Sequence, residues 1–151
     1  MKITLVTVIS LISLVITTVS WSAPLPRADV TKVQTTLGPD GYKFAVTIQS
    51  SDIGCEQYAN WWEVLSADGK LIYRRILTHS HVAEQPFTRS GGRVIIKATD
   101  PIIIRAHMHP FGYMGRVLKG SIEKGFKSTL LNSGFAKGVE KPTSQTSYCA
   151  W

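Results

Sequence analysis

The sequence lacks the patterns that usually carry enzyme chemistry. It has no Gly-x-Ser-x-Gly motif, no glycine-rich phosphate loop and no carboxylate pair at a useful spacing. Ser80 stands between His79 and His81, but alternation in a strand would place it on the opposite face from both, where they cannot activate it. Glu56 and Glu63 look no different from surface carboxylates. The sequence therefore predicts a protein that is not an enzyme and uses no cofactor.

Only one long apolar run is present, and it lies near the amino terminus. Lys2 precedes apolar residues from Ile3 to Val19, and Ser20-Trp21-Ser22 supplies a small-x-small exit. This order is typical of a secretory signal peptide, so we expect removal of residues 1–22 and a periplasmic or secreted protein. A retained anchor is the alternative, but the run is short for a membrane span and no basic cluster follows it. No cysteine lies at the exit, so lipid attachment is not predicted.

Acidic residues are scarce: Asp and Glu number 10 against 17 Lys and Arg, which gives a formal net charge of +7. A basic exported protein is attracted to phospholipid headgroups, acidic polysaccharide, cell-wall polymers or nucleic acid. The basic residues are spread along the chain, which also fits a role in solubility, and export argues against nucleic acid. We expect an anionic or carbohydrate component of the cell envelope as partner.

Cysteine is also scarce, with Cys55 and Cys149 alone in the chain. An even count in an exported protein predicts a disulfide, and two cysteines allow one intramolecular pairing. This bond would tie the carboxy-terminal tail back to the loop at Gly54-Cys55. A metal-binding or catalytic thiol is the alternative, but neither cysteine lies in a two-cysteine motif or beside a histidine.

Turn signals divide the rest of the chain into short β-rich runs. Residues 42–49 alternate most clearly, with an apolar side chain at every second position. Asp68-Gly69 between two such runs predicts a hairpin, whereas Ser90-Gly91-Gly92 predicts a loop over 86–92. Leu131 and Phe135 have helical spacing and predict a short carboxy-terminal helix. The predicted strands are residues 30–37, 42–49, 58–65, 70–77, 93–97, 101–109 and 116–122.

About seven short strands predict an all-β, antiparallel immunoglobulin- or fibronectin-like sandwich over 23–126, with a helix and disulfide-tethered tail over 127–151. The middle third also resembles uncharacterised exported bacterial proteins with an immunoglobulin-like sandwich, a resemblance that implies no activity. The two cysteines do not sit on the strands that are bridged in antibody domains. The residues that carry the resemblance are Gly54–Tyr58 through Trp62-Glu63, Tyr73–Leu77 and Glu84–Phe87.

All four histidines occur in His-x-His pairs, His79 with His81 and His107 with His109. In a strand each pair would project two imidazoles from one face, where their ring nitrogens could coordinate Zn²⁺ or Cu²⁺. On the strand over 101–109, alternation assigns the second pair to an outer face beside Arg105, whose charge opposes a cation. If the ends of the two strands converged, the four imidazoles and Glu84 could supply enough ligands for a closed metal site. The alternative is a set of surface histidines bonded to backbone.

Aromatic and arginine side chains support a binding module instead. Trp61 and Trp62 face opposite ways in a strand, so we expect at least one to be exposed and able to stack on a sugar ring. The alternative is that one lies in the core and the other under the carboxy-terminal segment. Carboxylate or phosphate groups of a ligand could also be bound by Arg75, Arg89 and Arg93. The predicted binding residues are Trp61, Trp62, Tyr73, Arg74, Arg105 and Tyr113.

Overall fold

The structure is a computed structural model, and it describes residues 25–139 and Cys149. The predicted signal peptide over 1–22 lies outside the described residues. Within 25–139 the chain forms eight strands and no helix. No helix among these residues is long and apolar enough to cross a membrane. The strands are β1 (Ala28–Gly38), β2 (Gly41–Ser50), β3 (Tyr58–Ser66), β4 (Leu71–Ile76), β5 (Phe87–Val94), β6 (Ile102–His109), β7 (Val117–Ser121) and β8 (Gly125–Thr129).

The strands form two antiparallel sheets, which confirms the all-β prediction. One sheet has the order β1-β2-β5 and the other the order β4-β3-β6-β7-β8. Apolar side chains of both sheets meet in one core. In β2 the alternation works as predicted, with Phe44, Val46 and Ile48 buried while Lys43 and Gln49 are exposed. The predicted hairpin at Asp68-Gly69 joins β3 to β4.

The strand β6 is buried on both faces, which corrects the prediction that one of its faces is exposed. Ile104 and Met108 lie in the core between the sheets, as expected. On the other face Ile103, Arg105 and His107 are also buried. This second face is buried because the segment after β8 lies over the outer face of the five-stranded sheet. The strand pattern in the sequence does not reveal this extra layer.

That covering segment replaces the predicted carboxy-terminal helix. Residues 127–129 belong to β8, and residues 133–139 form turns. Its apolar residues pack on the outer face as the helical spacing suggested, but from turns that include Gly138 at φ +94°. Residues 140–148, where the predicted tail continues, lie outside the described residues. The packed apolar residues are Leu131, Phe135, Ala136 and Val139, against Leu65, Ile103 and Val117.

The strand β5 covers residues 87–92 of the predicted loop and ends at Val94, so the predicted loop is wrong and only residues 93 and 94 of the strand predicted over 93–97 are confirmed. The glycines that suggested a turn lie within the strand, where a larger side chain would not fit. A Cβ atom at Gly91 would lie 2.6 Å from the Tyr73 hydroxyl and 3.0 Å from the Trp62 ring. Gly92 lies at an irregularity in the β2–β5 register, with φ +145°. The glycines thus allow close approach and a local bulge within a strand.

The predicted disulfide between Cys55 and Cys149 is confirmed. Cys55 lies in the loop between β2 and β3, and the two cysteines are 94 residues apart in the chain. The bond therefore anchors the chain beyond the covering segment to the body of the sandwich. It closes a loop that contains all five strands of the larger sheet and β5 of the smaller one.

The double substitution C55S/C149S should lower the free energy of unfolding, because the open chain has more conformational freedom when unfolded. The chain-entropy model gives at most about 4.7 kcal/mol for a loop near this length. Urea denaturation of oxidised wild type and the variant measures the difference, and reduced wild type is the matched control. A variant as stable as the oxidised protein would show that the disulfide contributes little to the free energy of unfolding.

Candidate functional site

The outer face of the five-stranded sheet carries a buried cluster of charges centred on Glu63. In the antiparallel register, Glu63 lies directly opposite Arg74 on β4 and Arg105 on β6. Its Oε2 accepts hydrogen bonds from Arg74 at 2.8 and 2.9 Å, and its Oε1 accepts one from Arg105 Nε at 2.7 Å. The Glu63 and Arg105 side chains are 0% and 2% exposed. One carboxylate therefore holds together three neighbouring strands.

Aromatic rings surround these charges. Trp61 stacks on His107 with ring centroids 3.8 Å apart, and the Arg74 guanidinium lies 4.7 Å from the Trp61 ring. The Arg105 guanidinium lies 3.4 Å from the Tyr113 ring, and the Trp61 indole nitrogen donates a 3.2 Å hydrogen bond to the Tyr113 hydroxyl. Burial and the nearby Glu63 carboxylate raise the Tyr113 pKa well above its usual value. The Tyr113 hydroxyl is therefore neutral at physiological pH.

The expectation that Trp61 or Trp62 is exposed is wrong. Trp62 is 0% exposed in the core between the sheets, and Trp61 is 4% exposed on the outer face. Arg105 is buried and Arg74 nearly so, because their charges pair with Glu63. The structure thus brings Trp61, Arg74, Arg105 and Tyr113 together, but as an internal cluster rather than a surface patch.

Tyr73, the remaining predicted binding residue, lines a different and open site. A groove of about 500 Å³ runs between the edge strands β4 and β5, toward the turn that joins β1 to β2. Arg75 spans the gap and donates a 3.2 Å hydrogen bond from Nε to the Ser90 carbonyl. Two further cations, Lys43 and Arg93, line the groove.

The groove is positively charged and partly aromatic. Its lining includes three cations, Lys43, Arg75 and Arg93, all on exposed residues. The one carboxylate in the lining, on Asp40, pairs with Arg93 at 3.1 Å. Half-buried Tyr42 lies in the groove with Tyr73. The three cations and the one carboxylate give the groove a net charge of +2 before any ligand binds.

The two histidine pairs do not share a site. His81 is buried and stacks on Phe87, with ring centroids 3.7 Å apart, beside the exposed His79. His107 stacks on Trp61 at the outer face and its Nδ1 lies 2.6 Å from the Asn60 side-chain oxygen. Among the described residues, no group of three or more His, Cys, Asp or Glu could hold a metal ion. The structure gives the predicted Zn²⁺ or Cu²⁺ site no support.

His81 belongs to a polar cluster around the buried carboxylate of Asp52. Asp52 accepts hydrogen bonds from the Ser50 hydroxyl at 2.6 Å and from the backbone nitrogens of Ala59 and His81, each at 2.9 Å. The His81 Nδ1 lies 3.8 Å from Asp52 Oδ2, and both ring nitrogens are buried without a hydrogen-bond partner. The carboxylate therefore holds the loops after β2 and β4 through backbone contacts.

Burial lowers the pKa of the His81 imidazole below its usual value, and the positive charges of Arg89 and His79 act in the same direction. Asp52 and Glu84 oppose this shift without reversing it. The stack on Phe87 accordingly holds the neutral ring. The Ser80 hydroxyl donates a 3.5 Å hydrogen bond to Asp52 Oδ2.

Sequence reasoning missed two kinds of residue. The expectation that Glu63 resembles a surface carboxylate is wrong, because its side chain is buried. Its position inside the apolar run from Trp61 to Leu65 could have indicated this burial. Sequence reasoning also named Arg75 and Arg93 as possible ligand contacts without connecting them to Lys43. Only the packing of the two sheets shows that these three cations line one groove.

Part of the chain is similar to a known protein. A protein of Halomicrobium mukohataei described as "Putative lipoprotein" is 34% identical over 88 residues. The match covers 58% of this chain and 43% of that protein, so the chain spans less than half the length of the relative. No protein-family model and no solved structure matches the chain.

The substitution E63Q should destabilise the fold by roughly 3–5 kcal/mol, because it leaves two buried guanidinium groups without their carboxylate. Chemical denaturation of E63Q and wild type measures this loss. E123Q, at an exposed carboxylate in the β7–β8 turn, is the matched control and should stay within about 0.5 kcal/mol of wild type. Equal losses in the two variants would contradict the assigned role of Glu63.

Stability should depend on pH through His81. Well above pH 6.5, the ordinary pKa of the ring, the imidazole is neutral in the folded and unfolded states and has no effect. As the pH falls below 6.5, the unfolded chain takes up the proton first, so stability is lost until the lowered folded pKa is reached. H81L should lose this part of the acid destabilisation, and H79L at the exposed neighbour should keep it. Denaturant titrations between pH 7.5 and 5 test this, and parallel curves for H81L and wild type would refute it.

Proposed function

We propose that the protein is an exported, non-enzymatic binding module whose groove between β4 and β5 takes an acidic carbohydrate of the cell envelope. The observation that carries the proposal is the groove lining, with three cations, two tyrosines and a single, already paired carboxylate. The groove volume of about 500 Å³ lies within the range of small-ligand sites.

The chemistry of the lining suits a charged sugar. Arginine binds carboxylate and phosphate groups well, and Arg75 and Arg93 place two guanidinium groups on the strands that border the groove. Tyr42 and Tyr73 offer ring faces that pack against apolar sugar faces and hydroxyls that bond to sugar oxygens. A neutral sugar would leave the net positive charge of the groove uncompensated, which favours an acidic one.

Export supports the choice of an envelope ligand. The disulfide between Cys55 and Cys149 is typical of a protein that leaves the reducing cytoplasm. The description of the relative as a lipoprotein also fits an exported protein, although it names no ligand. The proposal includes an immunoglobulin-like sandwich in the periplasm or outside the cell.

Binding of polygalacturonate, compared with neutral dextran, tests the proposal directly. We expect polygalacturonate to bind the oxidised protein and dextran not to bind, with an affinity that falls as salt is added. The double variant K43Q/R93Q should bind at least about tenfold more weakly, a loss of about 1.4 kcal/mol. K119Q/K127Q removes the same charge from an exposed cross-strand pair on β7 and β8 and is the matched control.

Thermal melts of both variants test whether each is folded. Binding that weakens equally in the two variants would reduce the interaction to net charge and overturn the groove assignment. Absence of binding to polygalacturonate at low salt would overturn the choice of an acidic carbohydrate.

A further inference from the structure

We propose a second binding site, separate from the groove, for a small monocarboxylate with an apolar body. The site is a cavity of about 220 Å³ beside Arg105, between the loop that precedes β7 and the covering segment that follows β8. Its lining includes Arg105, Tyr113, Met114, Val117, Leu130, Leu131 and Phe135.

Arg105, which lines this cavity, has one hydrogen-bond donor without an acceptor. Its Nε bonds to Glu63 at 2.7 Å and its Nη1 to the Phe135 carbonyl at 3.1 Å. Its Nη2 is buried and donates to no acceptor. A buried guanidinium donor without an acceptor is unfavourable, so an anion that reaches it is stabilised by supplying the missing acceptor.

The charges around Arg105 also favour an anion. Two guanidinium groups, of Arg74 and Arg105, share the single carboxylate of Glu63, which leaves a net charge of +1 in a largely buried cluster. The carbonyls of Phe135 and Val139 each accept a hydrogen bond from one arginine, but they are neutral. One ligand carboxylate would balance the cluster.

The rest of the lining suits an apolar body on that carboxylate. Met114 and Leu130 line the cavity and are 51% and 65% exposed, so apolar side chains border it where it meets solvent. Val117 and Phe135 extend the apolar wall. The volume lies below the 300–1,000 Å³ of drug-sized ligand sites, which favours a short alkyl or aryl acid over a longer chain.

Access to the free donor involves Tyr113. Its ring packs on the guanidinium at 3.4 Å, and Nη2 is closed to water in the structure. Tyr113 lies in the loop between β6 and β7, and its hydroxyl is held by Trp61. A small shift of this ring, outside the strand ladders, would let a carboxylate oxygen reach Nη2. Binding should therefore perturb the resonances of Tyr113 as well as those of Arg105.

Two-dimensional NMR with sodium hexanoate and 1-hexanol tests the proposal on the full oxidised protein. We expect hexanoate to shift the Arg105 side-chain N–H and the Tyr113, Val117 and Leu131 signals in a saturable manner. The alcohol should bind at least about tenfold more weakly, since it lacks the charge that Arg105 recognises. The groove residues Arg75 and Arg93 should stay unperturbed.

The variant L130E places a carboxylate beside the cavity at an exposed position and should weaken hexanoate binding at least about tenfold. L37E introduces the same charge at the other end of the sandwich, where the leucine is 68% exposed, and should bind as wild type does. Equal binding of the alcohol, shifts confined to the groove, or no saturable shifts would each overturn the proposal. None of these results bears on binding of polygalacturonate.

Discussion

The Glu63 carboxylate, held between Arg74 and Arg105, is the interaction on which the outer half of this molecule depends. It lies on the central strand β3 and bonds to both neighbouring strands at one register position. A charge with so little exposure is tolerated only when its partners satisfy it, and here two arginines do so. The rings of Trp61 and Tyr113 then pack on those arginines and exclude water from the cluster.

The same arginines fix the covering segment. Arg105 donates to the Phe135 carbonyl and Arg74 to the Val139 carbonyl, so two backbone groups in a stretch of turns find partners that a helix would have supplied. Apolar contacts with Leu65 and Ile103 complete the layer. Cys149 anchors the chain beyond it. The five-stranded sheet is thereby covered on both faces, while the gap between β4 and β5 stays open as a groove.

How far the sequence predicts this arrangement depends on the range of the interaction involved. Alternation identified β2, and the two cysteines allowed one pairing, because both signals are local or have a single solution. The strand β5 was missed because Gly91 suggested a turn, whereas its missing side chain makes room for Tyr73. The helix was predicted from spacing alone, although Leu131 and Phe135 reach the sheet from turns.

The candidate sites were less predictable for the same reason. Tyr73 and Arg75 are near neighbours in sequence, but Lys43 and Arg93 join them only when two sheets meet. The second face of β6 could be assigned only by knowing that a third layer covers it. An alternating pattern describes two faces of a strand and does not reveal which of them a distant segment covers.

Hydrogen exchange at the arginine side chains tests the central role of Glu63 most directly. The Nε–H groups of Arg74 and Arg105 both donate to this carboxylate, whereas that of Arg93 lies on an exposed side chain. We predict that the Arg105 Nε–H exchanges as slowly as the backbone amides of β3 and β6, and the Arg93 Nε–H without protection. Fast exchange at Arg105 under conditions where those amides are protected would show that the cluster opens independently, and would contradict the account.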